Sequence, residues 1–268
     1  MTPMLRGFLL GDGQLACFNG AAQSDPVRIA AALKASEAAG RAVTNSAHSG
    51  FQRLTSRRVV LIMDVGTPPN NPTPRMGCAG TLSFELSISK QRLVVNCGVP
   101  KSGHPKMISA FRGTAAHSTL TIADMNSSQI SEVGGFGPRV AEQVETLRRE
   151  VDKNTLVQAA HSENLAPFGL IHKRALFLSA DGNELRGEDT LIGKTGTNAS
   201  ISFHLHPNVQ ASLVEARNSV LLKFGESAGW RFRASNANIT LDPSLYFDHG
   251  VRRQAQQIVL AINHNGPE

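Results

Sequence analysis

The stretch Thr81-Leu82-Ser83-Phe84-Glu85-Leu86-Ser87-Ile88-Ser89-Lys90-Gln91-Arg92-Leu93-Val94-Val95-Asn96 decides the fold. Leu82, Phe84, Leu86 and Ile88 take every second position, with Ser83, Glu85 and Ser87 between them. Alternation of this kind marks a strand, because successive side chains point to opposite faces. Arg92 to Asn96 resumes the pattern after the polar link Ser89-Lys90-Gln91, so the two runs are predicted to form a hairpin.

The same grammar recurs along the chain. Leu176 to Leu178 and Leu185 to Asp189 flank an Ala180-Asp181-Gly182-Asn183 turn, and the segments around Glu150 and Leu156 flank Asp152-Lys153-Asn154. Ile201 to His206, Ser219 to Phe224, Trp230 to Ala234 and Gln257 to Ile262 extend the series without the intervening helices that a parallel sheet requires. Only residues 26–39 read as a helix, with Pro26 early, an Ala-rich body and Gly40 as a stop signal. Leu5 to Gly20 reads as a hairpin about Gly11-Asp12-Gly13, an abrupt opening suggestive of a truncated fold. The prediction is an all-β chain, a large antiparallel β-sandwich with a short N-terminal hairpin and one helix. Two segments are expected as surface loops: the proline-rich Thr67 to Pro74, and Gly98 to Gly113, which leads into the alternating run from His117 to Ile122.

Composition narrows the function. With 268 residues, 41% of them hydrophobic, the chain can bury a substantial core. Its longest aliphatic run, Val59 to Met63, is far short of the roughly 20 residues of a membrane-spanning helix. The first residues carry neither an apolar export core nor a small-residue cleavage site. A net charge of +6 suits a polyanionic partner. Scattered basic residues with a single Trp and a single Tyr argue against nucleic acid. Cys17, Cys78 and Cys97 make an odd count with no C-x-x-C pair, which argues against a disulfide framework or a structural zinc knuckle and leaves at most one bridge.

The candidate chemistry lies in a few side chains. His117 follows a loop and begins an alternating segment, a position that serves backbone bonding as readily as chemistry. Cys78 precedes one strand of the decisive hairpin and Asn96 ends the other, so both can converge with His117. His204 and His206 share one strand face, a spacing that chelates a metal or marks a polar sheet face. His172, in the segment Gly169 to Arg174, and the group Arg186-Gly187-Glu188-Asp189 offer cations and carboxylates, which mutual salt-bridging across a sheet face explains as well. No nucleophile elbow, P-loop, H-E-x-x-H or dinucleotide fingerprint is present.

Taken together, the segments Leu9 to Ala16, Ala79 to Leu86, Val94 to Gly98, Ala115 to Leu120, Gly187 to Leu191, Phe203 to Pro207 and Gly229 to Phe232 resemble the C-terminal β-domain of the heparinase II/III-like polysaccharide lyases, in an alphaproteobacterial-type branch. The resemblance runs from about Leu5 to His264. It implies a supersandwich-like β-domain over residues 41–268, with residues 1–40 as the hairpin and helix at the junction with a helical toroid. The implied activity is β-elimination on an acidic, uronic-acid-containing polysaccharide, completed by a toroid domain or a homo-oligomer. The alternative is a non-catalytic acidic-glycan-binding or structural remnant. The resemblance carries the catalytic role to His117 and a neighbouring catalytic histidine to about Met76. It carries the zinc-holding positions to Cys78, Asn96 and His117, of which His117 alone keeps the family's residue type. His204, His206, His172 and Arg112 are the candidate substrate contacts. By analogy the location is the cell envelope or periplasm, or the cytoplasm if this chain is the complete product.

Overall fold

The computed structural model describes residues 2–21, 25–36, 40–68, 77–131, 135–137, 139–140, 144–161, 169–193, 197–214, 219–225 and 228–264. The decisive stretch forms the hairpin β4 (Phe84–Ile88) and β5 (Gln91–Val95), turning at Ser89, whose backbone is left-handed at φ 52°. Before it, β1 (Asn45–Ser46), β2 (Phe51–Ser56) and β3 (Val59–Asp64) add to the same antiparallel sheet. Beyond it the sheet continues through β11 (Thr197–Leu205), β16 (Val251–His264) and β15 (Asn238–Asp248), while the short β6 (Leu120–Ile122) also pairs with β11. β11 changes partner along its length, bonding β6 at Ala199–Ile201 and β5 at His204–Leu205.

Two smaller sheets form the other layer. One is a meander of β7 (Glu145–Val151), β8 (Asn154–His161), β9 (Leu170–Leu178) and β10 (Leu185–Gly193). Its first turn places Asp152 and Lys153 at φ 50° and 65°, the backbone demanded by a tight two-residue hairpin. The other sheet consists of β12 (Gln210–Val214), β13 (Ser219–Phe224) and β14 (Ala228–Arg233). Leu61, Phe84, Leu86, Ile201 and Ile258 of the large sheet pack with Val157, Leu176 and Leu178 of the second and Val220, Leu222 and Phe224 of the third. Full burial of such side chains contributes about 1.5–3 kcal/mol each. This antiparallel β-sandwich is the predicted architecture.

The opposite face of the large sheet is covered as well. Leu10, Ala16 and Phe18 pack on Ile62, so Ser83, Glu85 and Ser87, which alternation alone would send to solvent, are buried. Gly11 lies so close to the β4–β5 turn that an added Cβ would be 1.8 Å from Ser89 O. The expected N-terminal hairpin is a single bridge, Leu9 opposite Leu15, and a short helix α1 (Thr2–Gly7) precedes it. The helix predicted at 26–39 is α2 (Pro26–Ala35), capped by Asp25, whose side chain accepts from Val27 N–H at 2.8 Å. Residues 37–39 and most of the proline-rich loop, from 69 to 76, lie outside the described residues. The expected loop Gly98 to Gly113 contains a further helix, α3 (Pro105–Arg112). His117 follows a 3-10 turn over Thr114–Ala116 and stands three residues before β6, so the strand begins later than alternation predicted. Among the described residues, no helix is long and apolar enough to cross a membrane.

Candidate functional site

β3 ends at Asp64, β4 begins at Phe84, β5 ends at Val95 and β11 reaches His204 at one edge of the large sheet. The connecting segments there form the layer in which Cys78, Asn96 and His117 fall. Thr114 Oγ1 and Ser127 Oγ both donate to Ala79 O, at 2.7 and 3.0 Å. Ser118 Oγ donates to Val95 O at 2.8 Å and accepts from His204 N–H at 3.0 Å.

His117 is buried, and its Nδ1–H donates to Gly113 O at 2.7 Å. That bond fixes the neutral tautomer, leaving Nε2 as the lone-pair nitrogen. Burial pulls its pKa down to about 4, partly offset by the Gly113 carbonyl. The ring rests on Gly80, where an added Cβ would lie 2.6 Å from Cδ2. Asn96 is fully enclosed, its Oδ1 accepting from Ser118 N–H at 3.0 Å and its Nδ2 donating to Cys17 O at 3.4 Å. Burial pushes the Cys78 thiol up to about 12, against the pull of Arg112.

Those donors do not fit a zinc ion. The Asn96 carbonyl is already bonded within the protein, and an amide oxygen is a weaker ligand than a carboxylate. Zinc binds cysteine as the thiolate, and the buried surroundings of Cys78 disfavour that charge. Among the described residues, no group of three His, Cys, Asp or Glu side chains is placed to hold a metal. Met76 lies outside the described residues.

The four candidate substrate contacts are all turned inward. Arg112 donates to Gly77 O at 2.7 Å and Gly135 O at 2.8 Å, tying two loops together. His172 Nε2–H donates to Asp189 at 2.7 Å, the salt-bridging alternative raised from sequence. His204 bonds Ala115 O through Nε2–H at 3.0 Å and pairs through Nδ1 with Ser244 Oγ at 2.8 Å. His206 sits edge-on to Tyr246 with ring centres 5.1 Å apart. Burial holds both His204 and His206 at about 4.

Two charged groups, Glu85 and Asp64, escaped the sequence reading, and a third, Arg174, does more than the sheet-face salt-bridging expected of its segment. Arg174, wholly buried, grips Asp189 through Nε at 2.7 Å and Nη2 at 3.0 Å. Its Nη1 donates to Leu82 O and Ser118 O, each at 2.8 Å, and so braces the segments on both sides of the site. Burial works against the Asp189 charge, but Arg174 and His172 overcome it and hold the carboxyl below the usual range. Glu85 accepts from Asn96 N–H at 2.9 Å and lies 3.7 Å from Arg92, which also pairs with Asp12 at 2.7 Å. Burial raises Glu85. Asp64, at the end of β3, is lifted by burial to about 7, while Gly66 N–H donates to its Oδ1 at 3.0 Å. Glu85 alternates with apolar neighbours as Ser83 and Ser87 do, so its burial carried no signal in the sequence. For Arg174 the pairing with the Arg186 to Asp189 group was legible as salt-bridging across a sheet face, but its bonds to Ser118 O and Leu82 O, 56 and 92 residues away, carried no local signal.

The chain matches the heparinase II/III-like, C-terminal family over residues 38–268. It is 35% identical over 279 residues to FtsZ-localized protein C of Caulobacter vibrioides, covering 97% of this chain and 48% of that protein. In structure it is similar to the heparan sulfate lyase HepC of Pedobacter heparinus, with a TM-score of 0.73 at 15% identity over 97% of this chain and 43% of that one. A heparinase III crystal structure matches at a TM-score of 0.66 and 18% identity, covering 99% of this chain and 45% of the other. The chain therefore spans about half the length of the relatives it matches.

Proposed function

The chain belongs to the heparinase II/III-like, C-terminal family, and from that membership we propose that it is an acidic-polysaccharide-recognising β-domain without the proton-transfer chemistry of a lyase. The observation that carries this reading is the closed bonding around Asn96, which joins Cys17 and Ser118 where the resemblance calls for a metal ligand. General acid–base catalysis works best with groups that titrate near the working pH. His117, at about 4, and Cys78, at about 12, lie on either side of it.

A second reading, β-elimination completed by a toroid, is favoured by one observation. Asp64 lies at the same sheet edge as this layer and has a carboxyl held at about 7. One experiment separates the two readings: titrate the folded chain with alginate and heparan sulfate while following ultraviolet absorbance, since elimination leaves a conjugated unsaturated uronate. Saturable binding with a flat absorbance trace is expected. A rise in absorbance abolished by His117→Ala or Asp64→Asn would replace the first reading with the second, and no binding would overturn the first.

The relative from Caulobacter vibrioides is named for its localisation with FtsZ. We propose the same association for this chain in place of a periplasmic degradative role. A fluorescent fusion that fails to follow FtsZ in dividing cells would refute it.

A further inference from the structure

Strand β7 ends the second sheet, and among the described residues it pairs with β8 alone. Glu145, Thr146, Leu147, Arg149, Glu150 and Val151 are all exposed, so the strand lies open to solvent along its length. We propose that this edge is a homodimer interface, in which β7 of one copy pairs antiparallel with β7 of a second copy about a two-fold axis at Leu147. The inference stands apart from the glycan reading above.

The backbone determines which groups face the edge. Asp152-Lys153 is a two-residue turn closed by Val151 opposite Asn154, so Val151, Arg149, Leu147 and Glu145 direct their N–H and C=O groups to β8. Thr146, Arg148 and Glu150 direct theirs outward. Sheet edges are commonly blunted by proline, lysine or a bulge. β7 contains neither proline nor lysine, and its ladder with β8 is regular. The strand is also fixed before any partner arrives, because Arg148 Nη1 donates to Gln52 Oε1 and Arg53 O, each at 3.2 Å, and pins the inner face to β2.

The outward side chains select the partner and the register. Glu145, Leu147 and Arg149 follow one another on the outer face as acid, apolar, base. Turned antiparallel about Leu147, this order complements itself: Leu147 meets Leu147 of the second copy, and Glu145 of each copy faces Arg149 of the other. These are the non-hydrogen-bonded pairs, where side chains come closest, while Thr146 of each copy exchanges backbone bonds with Arg148 of the other. Among the described residues, neither Glu145 nor Arg149 has an ion-pair partner within its own chain. Leu147 is 43% exposed, so pairing buries apolar surface that the single chain leaves in water. A register centred on Arg148 or Arg149 would set that arginine against its own copy, and like charges directly opposite are unfavourable. The contact is isologous, so it closes at a dimer and joins the second sheets of the two copies into one.

The test is sedimentation velocity of the full chain across the micromolar range, on wild type, Glu145→Arg, Arg149→Glu and an equimolar mixture of the two variants. Wild type is expected to pass from monomer to dimer as concentration rises. Each variant alone sets like charges opposite and is expected to raise the dimer Kd at least about tenfold. The mixture is expected to regain the dimer, because the acids of one variant then face the bases of the other. Both positions are exposed, so unfolding temperatures are expected to stay unchanged. A wild-type chain that remains monomeric throughout the range, or a dimer that neither variant weakens, would overturn the interface. A dimer weakened by both variants and not regained by their mixture would overturn the pairing. Should a charge variant misfold, Leu147→Cys decides: copper-phenanthroline oxidation is expected to cross-link it into a dimer, the native cysteines Cys17, Cys78 and Cys97 being buried, and no cross-link would overturn the axis.

Discussion

Replacing Arg174 with Met tests whether this guanidinium, ion-paired to Asp189 within the second sheet and bonded across to Leu82 O and Ser118 O, holds the candidate site together. The guanidinium is fully buried and makes two bonds to Asp189 and one each to Leu82 O and Ser118 O. Met retains much of the volume between Phe84 and Phe203, whose rings lie 5.7 and 5.9 Å from the guanidinium carbon, but supplies no donor. Asp189 is then left as a mostly enclosed carboxylate with His172 alone beside it. Removing one partner of a buried pair costs about 3–5 kcal/mol. The pH dependence has a definite sign. Asp189 is depressed in the fold relative to its ordinary value of 3.8, so the pair's stabilisation is present above about pH 4 and fades as pH falls through the lower folded value. Urea unfolding of wild type and Arg174→Met at pH 7 and pH 3 is expected to show the larger gap at pH 7. Asp189→Asn placed on Arg174→Met removes the stranded charge, and the double-mutant cycle is expected to return a coupling of about 1.5–3 kcal/mol. A loss below about 1 kcal/mol at pH 7, or a gap of the same size at both pH values, would refute the argument.

Two further outcomes are expected. Gly80→Ala forces a methyl into the His117 ring, a clash with Cδ2 at 2.6 Å, and overpacking of this kind costs about 1–3 kcal/mol. A thermal melt showing no loss would mean that the ring moves freely. Asp64 has a folded value raised to about 7 from 3.8, so its ionisation penalises folding increasingly as pH rises between those values, with the full penalty present above them. Asp64→Asn keeps an oxygen for Gly66 N–H and is expected to raise the unfolding temperature at pH 8 with little change at pH 4. Equal shifts at both pH values would disprove the buried-carboxyl account.

The strands were legible where one local pattern sufficed. Leu82 to Ile88 alternates because one face meets the core, and Asp152-Lys153 supplies a two-residue turn. Glu85 was readable as a strand residue but not as a buried one, because the chain segment that covers it, Leu10 to Phe18, lies about 70 residues earlier. α3 was hidden by its own start signals. Gly103 and Pro105 read as loop breakers, yet Pro105 occupies the first helical turn and His104 caps it, with Nδ1 accepting from Lys106 N–H at 3.3 Å. At the site, sequence order brought Cys78, Asn96 and His117 to neighbouring strand ends. The inward turn of His172, His204 and Arg112 depends on carbonyls and carboxylates contributed from other elements, which spacing along one chain does not encode.

The choice of residue at position 96 connects fold to function. An amide both donates and accepts, and Asn96 does both, reaching Cys17 O on the covering segment and Ser118 N–H beside His117. An ionised carboxylate accepts only. A ligand of the family's type at this position would therefore leave the Cys17 carbonyl without this donor and add a second buried anion near Glu85, already raised by burial. The segment that encloses Glu85 and the amide that ties it down thus support each other. Together they make this edge of the sheet a brace for the sandwich.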